Sequence, residues 1–134
     1  MSLTPLLDAA PPIPLHAFAA MTAFVLGVVQ IVSPKGTTLH RTLGWLWVAF
    51  MLIVCTSTYW IHGDSWRLWR TWSPIHILSI FTAVMLVIGV AHARKHNITG
   101  HKITMICVFT GALVIAGIFT FVPGRIMHTV VFGQ

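Results

Sequence analysis

The chain of 134 residues contains no glutamate, and only Asp8 and Asp64 supply negative side-chain charge. Charged residues of both signs make up 7% of the sequence, 57% of residues are hydrophobic, and mean hydropathy is +0.88. An ordinary soluble domain carries about 25% charged residues, so this chain has too little charge to cover one. No acidic residue falls inside a long apolar run, which leaves a carboxylate proton relay or a cation transporter without its usual residue. Cysteine is nearly absent as well. Cys55 and Cys107 both lie inside apolar runs, where small buried side chains are expected and an interhelical disulfide is the alternative. The sequence has no CxxC, no Gly-rich phosphate loop and no Ser-His-Asp set, so the nucleophilic and nucleotide-dependent enzyme classes find no foothold.

What the sequence does have is apolar length. Four runs, roughly Pro14–Val32, Leu39–Ile61, Pro74–Ala91 and Ile103–Val122, come close to or exceed the ~20 residues needed to cross a bilayer as a helix. They predict an all-α, polytopic membrane four-helix bundle, a single four-helix transmembrane domain over residues 1–134 with no room for a second. The opening "MSLTPLLDAAPP" has no positive segment and no clear cleavage site, so the first run is expected to stay as a helix.

The net charge of +6 sits at helix ends, where Lys and Arg anchor spans, and this distribution argues against nucleic acid as a partner. Lys35, Arg41, Arg94, Lys95 and Lys102 fall on one side of the predicted membrane. Arg67, Arg70 and Arg125 fall on the other, with both aspartates. The positive-inside rule then places the first group in the cytoplasm and both termini outside. Between the second and third runs, "IHGDSWRLWRTWSP" spaces Trp66, Trp69 and Trp72 three residues apart, just after Trp60. That spacing predicts a short surface-lying helix with its aromatic face on the bilayer; an aromatic platform for a quinone or pigment is the alternative.

The chain also repeats itself. His16 to His40 is 24 residues and His76 to His101 is 25; the first of each pair follows Pro and an aliphatic residue, in "PLH" and "PIH". The second follows a Thr- and Gly-containing turn and precedes a cation, in "KGTTLHR" and "TGHK", and "LGVVQ" (Leu26–Gln30) parallels "IGVAH" (Ile88–His92). Two related helical hairpins are expected, each with a histidine near the start of every helix. Ser73 is expected to cap the third helix with Pro74 at its first position, Pro14 to open the first, and Thr99 or Gly100 to cap the fourth.

Alternating topology sets His16 and His76 at one membrane face and His40 and His101 at the other. Paired imidazoles from neighbouring helices are the axial ligands of a six-coordinate haem b. One pair per leaflet would hold two haems in layers roughly 20–30 Å apart, fit for transmembrane electron transfer. The metal-ligand set expected from the residues is therefore His16, His76, His40 and His101, for one or two haems. Arg41, Lys102 and Arg125 are the candidate partners of haem propionates. Below His16 runs a stripe of Ala20, Ala23, Gly27 and Gln30, and below His40 one of Gly44, Trp47, Met51, Cys55 and Thr58. A small stripe lets a flat ring approach, though it also serves plain helix packing. His62, His92, His96 and His128 lie in or beside the predicted loops and are expected to be surface residues. Zinc would want three or four converging ligands, and copper, with Met21, Met51, Met85 or Met105 as soft donors, is a weaker alternative. The rival reading is a cofactor-free structural or assembly subunit of a larger membrane complex.

The combination "KGTTLHRTLGW", "SPIHILS" and "FTFVPGR" resembles a family of small bacterial predicted membrane proteins with four helices, catalogued as a domain of unknown function. The resemblance runs from Pro14 to Arg125 and implies a helical fold in a bacterial plasma membrane. Its characteristic positions are His16, Lys35, Gly36, His40, Arg41, Pro74, His76, Pro123, Gly124 and Arg125, with a more loosely matched His101. In organisation the plan is similar to the cytochrome b561 class of dihaem membrane proteins. That analogy implies the lipid bilayer as surroundings, a quinone or redox protein as partner, and membrane oxidoreductase chemistry; a homo-oligomer is an open alternative.

Overall fold

The computed structural model describes residues 1–61 and 73–133, and these are helical, joined by short turns. A short helix α1 (Thr4–Leu7) leads into α2 (Pro12–Val32). Then come α3 (Thr38–Ser57), which tightens into a 3₁₀ turn over Thr58–Trp60, and α4 (Pro74–Arg94). Next is α5 (Ile98–Val108), which runs through a π-helical stretch, Phe109–Ile115, into α6 (Ala116–Phe119); α7 (Ile126–Phe132) closes the chain. Four continuous helical segments are long and apolar enough to cross a membrane: Pro12–Val32, Thr38–Trp60, Pro74–Arg94 and Ile98–Phe119. In hydrocarbon a helix is the one open-ended structure that pairs all its own backbone groups, so apolar length and helicity come together.

The helix starts differ in detail from the sequence expectation. α2 begins at Pro12, two residues ahead of Pro14, because the preceding prolines already hold helical φ. α5 begins at Ile98, ahead of the apolar run at Ile103, because Asn97 and not Thr99 or Gly100 is the cap; its side chain accepts from the Gly100 N–H at 3.0 Å. Thr37 caps α3 in the same way, accepting from the His40 N–H at 3.1 Å. α4 starts as expected, with Ser73 at the cap and Pro74 first. Two tight turns need left-handed backbone: Gly36 (φ 79°) between α2 and α3, and His96 (φ 56°) between α4 and α5.

The spans close into a ring. α2 packs along α3, α3 against α4, α4 along α5, and the π-helical stretch returns against α2. α2 and α4 therefore stand diagonally, as do α3 and α5. Ala23, Trp47, Met51, Leu86, Val108 and Leu113 meet at the centre, drawn from every span. Between lipid-exposed helices there is no solvent to drive association, so close approach of small residues supplies the contact. Gly27 receives the Phe109 ring, which also stacks on Phe24 at 5.5 Å. Gly89 receives Met105. The expected small stripe is thus a packing surface over Ala23 and Gly27, which are buried, and it accepts aromatic and thioether side chains. Trp47, Met51, Cys55 and Thr58 face inward along α3 as their spacing predicts. Cys55 is buried and Cys107 exposed, and both are free thiols. At the end where α2 begins, α1 lies against α7, with the Ser2 N–H donating to the Val130 carbonyl at 3.1 Å and Leu6 buried. The Trp66, Trp69 and Trp72 spacing, with His62, Asp64, Arg67 and Arg70, lies outside the described residues.

A candidate histidine site at one end of the bundle

Of the two histidine pairs expected from the sequence, the structure brings one together. The His40 and His101 rings approach to 6.5 Å between centroids, with their planes at 85°. They come from the diagonally opposite α3 and α5, near the N-terminus of each, so the two side chains converge toward the bundle axis. His101 is tied down: its Nδ1 lies 2.8 Å from the Gly89 carbonyl, which can only accept, so Nδ1 carries the proton and Nε2 is the lone-pair nitrogen. His40 is not tied down, for its Nδ1 is buried and unpartnered. Beside it Gln30 donates from Nε2 to the His40 carbonyl at 2.8 Å and leaves its own Oε1 buried and unpartnered. Gly44 permits this, since a side chain there would begin 2.9 Å from Gln30 Nε2.

The separation of the two rings leaves room for one atom between two imidazoles. Two metal–nitrogen bonds of about 2 Å each, with half of each ring, add up to about the observed centroid separation, and perpendicular ring planes are compatible with ligation from opposite sides. His101 already has the carbonyl partner that metal-ligating histidines use to fix their tautomer. No group of three or more His, Cys, Asp or Glu among the described residues could hold a bare ion.

His16 and His76 share the other end of the bundle but have separate neighbours. His16 Nδ1 lies 2.8 Å from Ser57 Oγ, and Ser57 spends its own proton on the Val54 carbonyl at 3.0 Å; the imidazole is therefore the donor. His76 is buried, with its ring 5.7 Å from that of Tyr59. Its Nδ1 accepts the Ser73 N–H at 3.2 Å, in a reciprocal capping box in which histidine takes the place usually held by Glu or Gln. With Nδ1 accepting, the neutral ring carries its proton on Nε2. A metal at that nitrogen would require the cap to be given up.

Arg41 and Lys102 follow the paired histidines and are exposed; Arg125, at the cap of α7, is exposed at the opposite end. Their side chains bond to no described residue. Lys35 is engaged locally, with Nζ donating to the Gln30, Ile31 and Ser33 carbonyls at the end of α2. Sequence reasoning saw Gln30 only as the end of a small stripe, and Ser57, Tyr59 and Gly89 not as histidine partners. The one available signal was the Gln30–His92 correspondence in the repeat. Of the histidines expected in or beside loops, His92 meets the Asn97 amide at 3.1 Å and His96 occupies the α4–α5 turn. His128 instead lies on α7 with its ring 4.8 Å from Phe132 and a buried, unpartnered Nδ1.

No match was found among curated proteins or among solved structures. A family model does match, over residues 13–132. The chain belongs to the family described as "Predicted membrane protein (DUF2306)".

Proposed function

We propose that this protein is an integral membrane cytochrome of the b type that holds one haem between His40 and His101 and serves electron transfer at the membrane. The observation that carries the reading is the convergence of those two rings from diagonal helices, one with its tautomer already fixed and the other with a buried nitrogen in need of a partner. Haem, when bound, supplies a one-electron couple. The rest is the work of this chain. The Gly89 carbonyl orients His101 and leaves Nε2 to ligate. Arg41 and Lys102, each next to a ligand in sequence, offer cations for propionates at the exposed rim. The His16–His76 end takes no haem in this reading; its histidines anchor helix ends.

The same reading places the cation-rich end in the cytoplasm, since Lys35, Arg41, Arg94, Lys95 and Lys102 outnumber the cations opposite. Both termini are then outside a bacterial plasma membrane, and a membrane quinone or a redox protein is the partner. The test is an optical spectrum of the detergent-purified protein, oxidised and dithionite-reduced, with pyridine haemochrome quantification. One low-spin haem b per chain is expected, abolished by His40→Ala or His101→Ala and retained in His16→Ala. A colourless protein, made with ample haem supply, would refute the reading and leave the cofactor-free subunit of a larger complex as the better account.

A further inference from the structure

Three buried side-chain atoms lack a hydrogen-bond partner among the described residues, and two of them, Gln30 Oε1 and His40 Nδ1, belong to residues already in contact. A buried polar atom left unpaired is costly, so a native structure that keeps two on residues in contact calls for a reason. A neutral imidazole carries one proton and one lone pair. If Nε2 supplies the lone pair to a ligand, Nδ1 must bear the proton, and that proton wants an acceptor. His101 meets this demand with the Gly89 carbonyl. His40 has no equivalent carbonyl. Gly27 stands in α2 where Gly89 stands in α4, but the neighbourhood of Gly27 is filled by Phe109 and by Trp47, whose indole N–H donates to the Ala23 carbonyl at 2.9 Å. An acceptor with spare capacity on a residue already bonded to His40 is the Gln30 amide oxygen.

We infer that Gln30 is the positioning residue for His40: its Oε1 takes the His40 Nδ1 proton when Nε2 turns to the haem iron, the part Gly89 plays for His101. This inference rests on the proposed haem site. It gives the two ligands different supports, a rigid backbone carbonyl on one side and a replaceable side-chain amide on the other. An acceptor at Nδ1 makes an imidazole a stronger donor to the metal, which favours the oxidised iron. The side chain at position 30 therefore sets the reduction potential of the site as well as the orientation of one ligand.

The experiment uses the full-length protein in detergent, with haem as the probe, and compares Gln30→Glu and Gln30→Leu with the wild type. Haem content of the wild type and of His40→Ala is measured first. A wild type without haem, or haem that survives His40→Ala, brings down the proposed site itself. With that site established, redox titration should move the two variants in opposite directions. Gln30→Glu, an anionic acceptor, lowers the midpoint potential, and Gln30→Leu, with no acceptor, raises it. A tenfold change in the iron(III)/iron(II) equilibrium corresponds to about 59 mV for one electron. Haem titration into protein stripped of haem is the second readout. Gln30→Leu should weaken binding roughly 10- to 100-fold, and Gln30→Glu should restore it. A residue that merely fills the notch at Gly44 would shift both variants the same way. Equal loss of haem affinity in both, potentials that move together, or potentials that stay at the wild-type value overturn the role of Gln30 while leaving the His40–His101 site intact.

Discussion

Adding a side chain at Gly27 would push against a close interhelical contact. A Cβ built there would lie 2.5 Å from two carbons of the Phe109 ring and 3.0 Å from Trp47 Nε1. Carbon atoms rest at about 3.5–4.0 Å, so the ring must retreat by about 1 Å. It has little room to do so, because its far face is stacked on Phe24 and its backbone begins the π-helical stretch. Overpacking of this kind costs about 1–3 kcal/mol, and exchanging glycine for alanine in a helix returns about 1 kcal/mol. Gly27→Ala should therefore destabilise by about 1 kcal/mol net. Gly27→Val adds two methyl groups, recovers less from propensity, and dislodges the Trp47 bond to the Ala23 carbonyl, worth about 1 kcal/mol; about 3 kcal/mol is expected. Gly117→Ala is the control: nothing lies within 4 Å of its added carbon, and only the propensity gain of about 1 kcal/mol applies. Equilibrium unfolding in mixed micelles with increasing sodium dodecyl sulfate, followed by far-ultraviolet circular dichroism, should rank Gly117→Ala above wild type, then Gly27→Ala, then Gly27→Val. Each step of 1–2 kcal/mol is a factor of about 5–30 in the unfolding constant. If Gly27→Ala proves as stable as Gly117→Ala, the close approach of α2 to the π-helical stretch is wrong.

Further outcomes can be checked in the same assay. Trp47→Phe keeps the ring in the core but deletes the indole donor to Ala23, and should cost about 0.5–1.5 kcal/mol with no loss of helical signal. Ser57→Ala removes the acceptor of the His16 proton; a double-mutant cycle with His16→Ala should give a coupling of about 1 kcal/mol, and additivity would mean the two side chains do not interact. Asn97→Ala deletes the cap of α5 and should cost about 1 kcal/mol, whereas Thr99→Ala should be near neutral; the reverse ranking would move the helix start back to Thr99. In whole cells, a cysteine introduced at Lys95 of a cysteine-free variant should resist a membrane-impermeant maleimide while one introduced at the exposed Leu3 reacts, if the cation-rich end is cytoplasmic.

Local composition was enough to identify the spanning helices. An apolar run in lipid must pair its own backbone groups, so Pro12–Val32 and its three counterparts are helical for reasons contained within each segment. The same holds for the expected cap at Ser73, whose side chain serves a backbone group three residues on; the Thr37 cap of α3 emerged only in the structure. At α5 the apolar run misled, because helix formation starts at the Asn97 cap and carries the polar "TGHK" turn in with it. The inward faces of α3 were legible for a related reason: the small, sulfur and aromatic residues recur at helical spacing from Gly44 to Thr58.

Which histidines meet was not contained in any segment. The repeat treats His16–His76 and His40–His101 alike, yet the ring of helices separates the first pair among local partners, Ser57 and the Ser73 cap, and joins the second across the diagonal. Each outcome depends on the rotation of every helix about its axis, and that rotation is set by contacts between positions far apart in sequence, such as Phe109 against Gly27 and Met105 against Gly89. The π-helical stretch shifts the register of the last span by an amount no periodicity in the sequence announces. The sequence by itself determined that four apolar helices would carry histidines near their starts. Packing across the bundle decided that His40 and His101 would face each other with Gln30 beside them.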